Sequence, residues 1–91
     1  MGFQKWPKKD PEEYYDFSID WSDRLGTDTI AASIWVLPSG ITTDQDQFTD
    51  TVATVWIDGG THGVTYEVVN KITTTAGRRL ERTALLPVKT L

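Results

Sequence analysis

Ninety-one residues are enough for one small domain and leave no room for a second hydrophobic core. The formal net charge of −4 at pH 7 means that the average surface repels a phosphate backbone, which argues against binding to nucleic acid. Cysteine is absent, which excludes disulfides, thiolate metal sites and a catalytic thiol.

The sequence carries no recognisable membrane or export signal. No apolar stretch approaches the length that spans a bilayer, and the segment Met1–Pro7 lacks the apolar run of a signal peptide. A small domain without disulfides suits a reducing compartment. From these features alone, we expect the protein to be made, and left, in the cytoplasm.

Residues 1–13 are predicted to form an extended arm, followed by a single domain over residues 14–91. Pro7 and Pro11 favour extended backbone in the residues that precede them, and the charged residues around them show no periodicity. Trp6 lies in this arm. A loose arm gains little from a tryptophan unless the ring docks somewhere, so Trp6 is a candidate interface residue.

The first strand is predicted from strict alternation. The apolar residues that share one face are Tyr15, Phe17, Ile19 and Trp21. A period of two with one apolar side indicates a half-buried strand. The segment Ser22–Gly26 is then predicted to form one helical turn, with the serine as its cap and the glycine as its stop.

The second predicted strand, Thr29–Leu37, is apolar on both faces. One face carries Ile30, Ala32, Ile34 and Val36, and the other carries Ala31, Ser33, Trp35 and Leu37. Periodicity does not choose between these faces. Such a strand either lies covered on both sides or lends its second face to a partner. Trp35, like Trp21, is most simply a core residue.

The acidic segment Ile41–Asp50 is predicted to be a short edge strand followed by a loop. Asp44, Asp46 and Asp50 are spaced in a way that superficially suggests a calcium loop. The glycine and the distal glutamate of such a loop are missing, so a solvated loop is expected.

Thr51–Ile57 is predicted to be the next strand, with Ala53 and Val55 on its core side. Trp56 points the other way if the strand alternates. An exposed tryptophan on a strand is costly without a partner and is a frequent interface anchor. Trp56 is therefore a second candidate interface residue.

Two long strand patterns close the chain and form its most informative feature. The first runs from Val64 to Thr74, Thr75–Arg78 turns the chain, and the second returns from Leu80 to Val88. A loop with three glycines precedes them, and a tyrosine follows shortly after it. This order is typical of the last hairpin of an immunoglobulin-like sandwich. The predicted fold is therefore an all-β, antiparallel β-sandwich of the immunoglobulin or fibronectin-III type, with six to seven strands.

No catalytic, cofactor-binding or metal site is predicted. His62 is the only histidine and has no serine at a motif spacing, so we expect an exposed loop residue rather than a general base. Arg78, Arg79 and Arg82 form a small basic cluster beside acids. Pairing with acids of a partner and plain solvation remain equally open for these arginines.

Several segments, taken together, resemble a known family of phage proteins. They are Lys9–Pro11, Tyr15–Trp21, Arg24–Ile30, Ser33–Ile41, Gly63–Tyr66, Thr73–Arg78 and Glu81–Arg82. Their order and spacing resemble the phage fiber–tail adaptor family of tailed phages and prophages, over nearly the whole chain from Lys9 onward. The resemblance implies an immunoglobulin-like sandwich that joins virion parts without catalysis.

The resemblance also bears on the second strand. The family's Ser-x-Trp-x-aliphatic-Pro pattern implies that Ser33, Trp35 and Leu37 face inward. Ile34 and Val36 are then expected to form an exposed apolar strip, which suits a subunit contact.

We therefore expect a phage or prophage structural protein, a tail or fiber–tail adaptor that acts by protein–protein adhesion. Its expected partners are other tail and fiber proteins and further copies of itself, with no cofactor, nucleic acid or membrane. It is expected to pass from the host cytoplasm into the virion tail. The candidate interface residues are Trp6, Ile34, Val36, Trp56, Arg78, Arg79 and Arg82. A carbohydrate-binding module and an immunoglobulin-like spacer of a surface protein are the alternatives.

Overall fold

The computed structural model describes residues 3–91 and contains two β-sheets. Its elements are β1 (Gln4–Lys5), β2 (Tyr15–Asp20), α1 (Ser22–Leu25), β3 (Ile30–Val36), β4 (Ile41–Phe48), β5 (Val52–Gly59), β6 (Thr65–Thr74) and β7 (Arg79–Pro87). One sheet has the strand order β1-β7-β6-β3, and the other has the order β2-β5-β4. Neighbouring strands are antiparallel except β1, which runs parallel to β7. The predicted all-β sandwich is confirmed.

The closing hairpin forms at the predicted position. β6 and β7 pair continuously from Thr65 opposite Pro87 to Thr73 opposite Arg79. The turn between them is closed by the amide of Thr74, which donates to the carbonyl of Arg78 at 2.8 Å. The buried apolar side chains that the hairpin contributes to the core are Tyr66, Val68, Ile72, Ala84 and Leu86. This hairpin supplies half of the four-stranded sheet.

Tyr66 ties the loop before β6 to the rest of the sandwich. Its hydroxyl accepts a hydrogen bond from the amide of Thr61 at 2.9 Å. A tyrosine at the start of a strand that bonds back to the preceding loop is the tyrosine corner of immunoglobulin-like domains. The ring also closes on the turn between β3 and β4, since a Cβ added to Gly40 would lie 2.9 Å from Cε1 of Tyr66.

The alternation predicted for the first strand is present in β2. Phe17 and Ile19 are 4% and 0% exposed, and Trp21, just beyond the strand, is fully buried. Tyr15 departs from the pattern, because it begins the strand and is 52% exposed. The core between the sheets is thus built from inward-facing residues of both layers.

The segment after β3 differs from the prediction of a short strand and a loop. Ile41–Phe48 forms one eight-residue strand, β4, at the edge of the three-stranded sheet. It pairs with β5, with a shift of register between Thr42 and Gln45. Ile41 is the one buried residue of β4. An edge strand that meets water on most of its surface needs no apolar alternation, so its polar composition concealed it.

The helical turn α1 also needs one correction. Its N-cap residue is Trp21 rather than Ser22, and no side chain caps it. The amide of Ser22 donates instead to Oδ1 of Asp20 at 2.9 Å. Gly26 ends the turn with a φ of 60°, as predicted.

The N-terminal segment lies along the domain. Gln4 of β1 stands opposite Ala84 of β7, and Lys9 forms a single parallel bridge with Val88. Residues 1 and 2 of the predicted arm lie outside the described residues. From residue 3 onward the segment packs against the sandwich, and it turns at Pro11 and Glu12.

Candidate interaction surfaces

The outer face of the four-stranded sheet carries an exposed aliphatic strip. Ile34 and Val36 of β3 are 63% and 46% exposed. Across the sheet Ile34 stands opposite Lys71, and Val36 stands opposite Val69. The exposed strip implied by the family resemblance is therefore present on this face.

A shallow groove of about 300 Å³ lies beside Ile34 on the same face. The residues that line it are Ala32, Ile34, Lys71, Ile72, Thr73, Arg79, Leu80 and Glu81. An aliphatic floor with charges of both signs around it resembles the core and rim of a protein–protein contact. This groove brings together one predicted aliphatic residue and one predicted arginine.

The opposite face of β3 turns toward the core, as the resemblance implies. Trp35 and Leu37 are partly buried and pack against the core residues. Nε1 of Trp35 is buried and has no hydrogen-bond partner within residues 3–91. Ser33 forms a hydrogen bond of 2.9 Å between its Oγ and Nδ2 of Asn70.

Asn70 joins three parts of the fold from a fully buried position. Its Oδ1 accepts from Nε1 of Trp21 at 2.9 Å, and its Nδ2 also donates to the carbonyl of Ile34 at 3.1 Å. Sequence reasoning missed this residue. The available signal was a polar residue at an inward position between two apolar inward residues, Val68 and Ile72.

Trp6 needs a correction, because it belongs to the core of its own chain. It is 6% exposed, and its ring stacks on Phe17 with centroids 5.0 Å apart. Its Nε1 donates to the carbonyl of Ser18 at 2.9 Å. The short parallel strand β1 carries the ring into the opening between β7 and β2. Trp6 is therefore withdrawn as a candidate for contact with a neighbour.

Lys9 holds the same segment in place, and sequence reasoning missed it as well. The residue is fully buried, and its Nζ donates to the carbonyls of Gly59 at 2.7 Å and Asp10 at 2.9 Å. Burial lowers the pKa of Lys9, an effect that the nearby carboxylates of Asp58 and Glu13 oppose. A lysine among other charged residues near a chain end gives no signal of burial in the sequence.

Two of the three predicted arginines are paired within the chain. Nη1 of Arg78 lies 2.9 Å from Oδ2 of Asp28. Nη2 of Arg82 lies 3.1 Å from Oδ2 of Asp23, and its Cζ lies 4.5 Å from the centroid of the Trp21 ring. These arginines contact their own domain, whereas the third lines the outer groove.

Trp56 lies on the outer face of the three-stranded sheet and is half-buried. It stands between Asp16 of β2 and Gln45 of β4. Tyr14, directly before β2, donates to Oδ1 of Asp44 at 2.6 Å. This bond raises the pKa of Tyr14 to about 12. The face thus offers one partly covered indole among polar and acidic side chains.

His62 lies in the exposed loop between β5 and β6. Its Nδ1 accepts a hydrogen bond from the amide of Thr90 at 3.0 Å. Within residues 3–91, no three His, Asp or Glu side chains are grouped so that they could hold a metal ion.

Comparisons with known proteins give one family and one fold. The model of the family described as podophage GP4 fiber-tail adaptor protein gp77 matches residues 9–87. The solution structure of the PKD domain from KIAA 1837 protein is similar, with a TM-score of 0.56 and 19% sequence identity, covering 98% of this chain and 82% of that chain. At this identity the likeness shows the fold alone, which is immunoglobulin-like. No curated protein matches the sequence significantly.

The only helix described within residues 3–91 is the four-residue turn α1. No helix in that range is long and apolar enough to cross a membrane.

Proposed function

Because this chain belongs to the family of podophage GP4 fiber-tail adaptor proteins (gp77), we propose that it joins tail and fiber in a phage particle by protein–protein adhesion. Membership over residues 9–87 indicates a phage fiber-tail adaptor. It also implies contact with other tail or fiber proteins and a location in the virion. The adhesive mechanism is the part that we propose.

The observation that carries the mechanism is the exposed strip on the outer face of the four-stranded sheet. Ile34 and Val36 are 63% and 46% exposed, and Ile34 lines the groove that Lys71 and Arg79 flank. Complete burial of one such aliphatic side chain contributes about 1.5–3 kcal/mol. A neighbouring protein that covers the strip therefore forms a complex that this burial stabilises. The net charge of −4 keeps free subunits soluble.

The proposal also covers catalysis, copy number and the place of assembly. The family and the fold suggest a non-catalytic protein, and we propose that it has no enzymatic activity and needs no cofactor. Several copies assemble in the host cytoplasm and then occupy the tail, without contact to nucleic acid or membrane. The acidic net charge supports the proposal that the protein does not contact nucleic acid.

A carbohydrate-binding module is disfavoured by the placement of the aromatic residues. Such a module needs coplanar exposed rings, whereas the stacked pair Trp6 and Phe17 is buried. The rings exposed by more than two fifths are Phe3, Tyr14, Tyr15 and Phe48, and each aromatic pair formed within residues 3–91 includes a buried ring. Trp56 stands partly covered on its face of the sheet.

Reconstitution of fiber attachment tests the proposal. Tails that lack this protein are mixed with fibers and the purified protein, and attachment is counted by electron microscopy. We expect the wild-type protein to restore attachment and Ile34→Asp to restore little. Val64→Asp serves as the matched control, because Val64 is 40% exposed at the start of the closing hairpin, away from the strip. Tails that bind fibers equally well without the protein refute the adaptor function.

A further inference from the structure

β3 forms a free edge of the four-stranded sheet. Within residues 3–91, β6 is the one strand that pairs with it. The backbone groups along its other edge have no strand opposite them, and at the start of β3 the amide of Ile30 donates to the carbonyl of Asp50 at 2.9 Å. Such a row of N–H and C=O groups is a template for an additional strand.

β3 is also the least protected edge of the sandwich. β4 carries Asp44 and Asp46, β2 carries Asp16 and Asp20, and β1 has only two residues. Natural sheets block their edges by charges, proline, β-bulges or very short strands. β3 has a register shift between Ile30 and Ala32 and keeps a regular register from Ala32 to Val36. The segment Ile30–Val36 contains neither a charge nor a proline. β3 is thus the edge most open to strand addition.

The two open sides of the sandwich, where the edges of the two sheets face each other, differ in whether the chain covers them. On the side of β1, Trp6 stacks on Phe17 and bonds to Ser18, so the chain covers its own opening. On the other side, a groove of about 660 Å³ lies between β3 and β4. The residues that line it are Ser33, Ile34, Trp35, Thr43, Asp44, Gln45 and Asp46. The described residues leave this second side uncovered.

The groove has a chemistry that selects a basic side chain. Asp46 stands opposite Val55, which is fully buried, so the two side chains lie on the inner face of their sheet. The ion pairs formed within residues 3–91 do not include Asp46. Trp35 is half-buried and lines the same groove, with its ring centroid 6.0 Å from that of Trp6. A carboxylate and an indole in one groove suit an arginine or a lysine.

We propose that an extended segment of another polypeptide adds to the free edge of β3 as a fifth strand of this sheet. Its side chains alternate between two environments. One face places a basic side chain in the groove with Asp46 and Trp35, and the other places aliphatic side chains beside Ile34 and Val36. The inference rests on the proposed adhesive function and specifies the chemistry of the partner.

A second copy of this chain, paired through its own β3, does not supply the basic side chain that the groove selects. Pairing of β3 with the β3 of another copy brings no basic residue into the groove, because the strand has none. Both copies also carry a net charge of −4. Charge complementarity therefore favours a basic segment of a different polypeptide.

Two synthetic peptides of about seven residues, close to the length of a typical strand, provide the probes. One alternates valine with arginine, and the other alternates valine with glutamate. We expect the arginine peptide to slow amide hydrogen exchange along β3 and to shift the indole signal of Trp35 in NMR spectra. The glutamate peptide is expected to do neither. Equal binding of both peptides, or protection outside β3, overturns the proposal.

Variants with matched controls locate the contact. Asp46→Asn is expected to weaken binding of the arginine peptide by about two- to fivefold, the range for a solvent-accessible ion pair. Asp16→Asn, on the outer face of β2, is expected to leave it unchanged. Ile34→Lys is expected to weaken binding, whereas Val64→Lys is not. Dimerisation through β3 that the arginine peptide does not displace contradicts the assignment of the occupant.

The peptide-binding experiments and the reconstitution of fiber attachment can fail independently of each other. If the protein restores fiber attachment but neither peptide protects β3, the edge proposal fails and the adaptor function stands. If the arginine peptide binds but tails attach fibers without the protein, the adaptor function fails and the edge remains a peptide site.

Discussion

The buried amine of Lys9 donates a hydrogen bond of 2.7 Å to the carbonyl oxygen of Gly59, at the end of β5. A second bond runs from the same amine to the carbonyl of Asp10. The N-terminal segment is therefore fastened to the sandwich by a side chain that water does not reach.

Removal of this amine is expected to destabilise the domain. Lys9→Met keeps most of the side-chain volume but leaves two carbonyl groups without their donor, which costs about 1–3 kcal/mol. The free energy of unfolding from urea denaturation measures the change. Lys8→Met is the control, because Lys8 is exposed. Equal stability of the two variants contradicts a structural role for the amine.

The same residue gives the protein a defined response to pH. Burial lowers the pKa of Lys9, so the unfolded chain binds this proton more tightly than the folded chain. The cost of burying the charge is fully present below the folded pKa and disappears as the pH rises toward 10.5, the ordinary value for lysine. We expect the stability difference between wild type and Lys9→Met to grow in favour of the wild type as the pH rises through this range. A constant difference in urea denaturations at several pH values argues against a lowered pKa.

Tyr14 responds to pH in the opposite direction. Its bond to Asp44 raises its pKa from 10.0 to about 12, so the unfolded chain loses the phenolic proton first. Stability from this bond is complete below pH 10 and is lost between 10 and 12. Asp44→Asn is expected to bring the pKa of Tyr14 back toward 10.0, as measured by NMR titration of the assigned ring signals. Asp46→Asn is the control that leaves it unchanged.

Trp6 is expected to matter for the isolated protein. Trp6→Ala removes a buried ring that stacks on Phe17 and a hydrogen bond to Ser18, and the loss amounts to about 3–5 kcal/mol. Thermal unfolding of the purified variant measures it. Phe3→Ala, at a position 55% exposed, provides the control and is expected to change little. A Trp6→Ala protein as stable as wild type, but defective in assembly, would restore Trp6 to the interface.

Asn70 is expected to be irreplaceable by an apolar residue of similar size. Asn70→Leu leaves Nε1 of Trp21 and the carbonyl of Ile34 unpaired in the interior, at a cost of about 2–4 kcal/mol. Chemical denaturation measures this loss. Glu67→Gln, an exposed change on the same strand, is expected to cost less than about 0.5 kcal/mol.

The sequence predicts the parts of this fold that follow simple alternation. Phe17 and Ile19 face inward because apolar and polar residues alternate along β2. Which face of β3 is exposed did not follow from periodicity, since both faces are apolar. The family resemblance assigned Ile34 to the outer face.

The parts that escaped prediction depend on contacts between distant segments. Trp6 and Lys9 are buried because β1 pairs with β7, and a two-residue strand leaves no periodic signal. β4 is polar because it lies at an edge. Asn70 is recognisable only once Trp21 and β3 surround it. Local pattern does not encode such long-range pairings.

Adhesion through the outer face of β3 can be measured with a single introduced thiol, because the chain has no cysteine of its own. A single cysteine at Ile34, or at the control position Val64, is the only thiol of the protein, and its rate of maleimide labelling reports its accessibility. We expect the Ile34→Cys thiol to react quickly in the free protein and much more slowly in assembled phage particles, and the Val64→Cys thiol to keep its rate. Equal labelling of the Ile34→Cys thiol in the free protein and in the particle would contradict adhesion through this face.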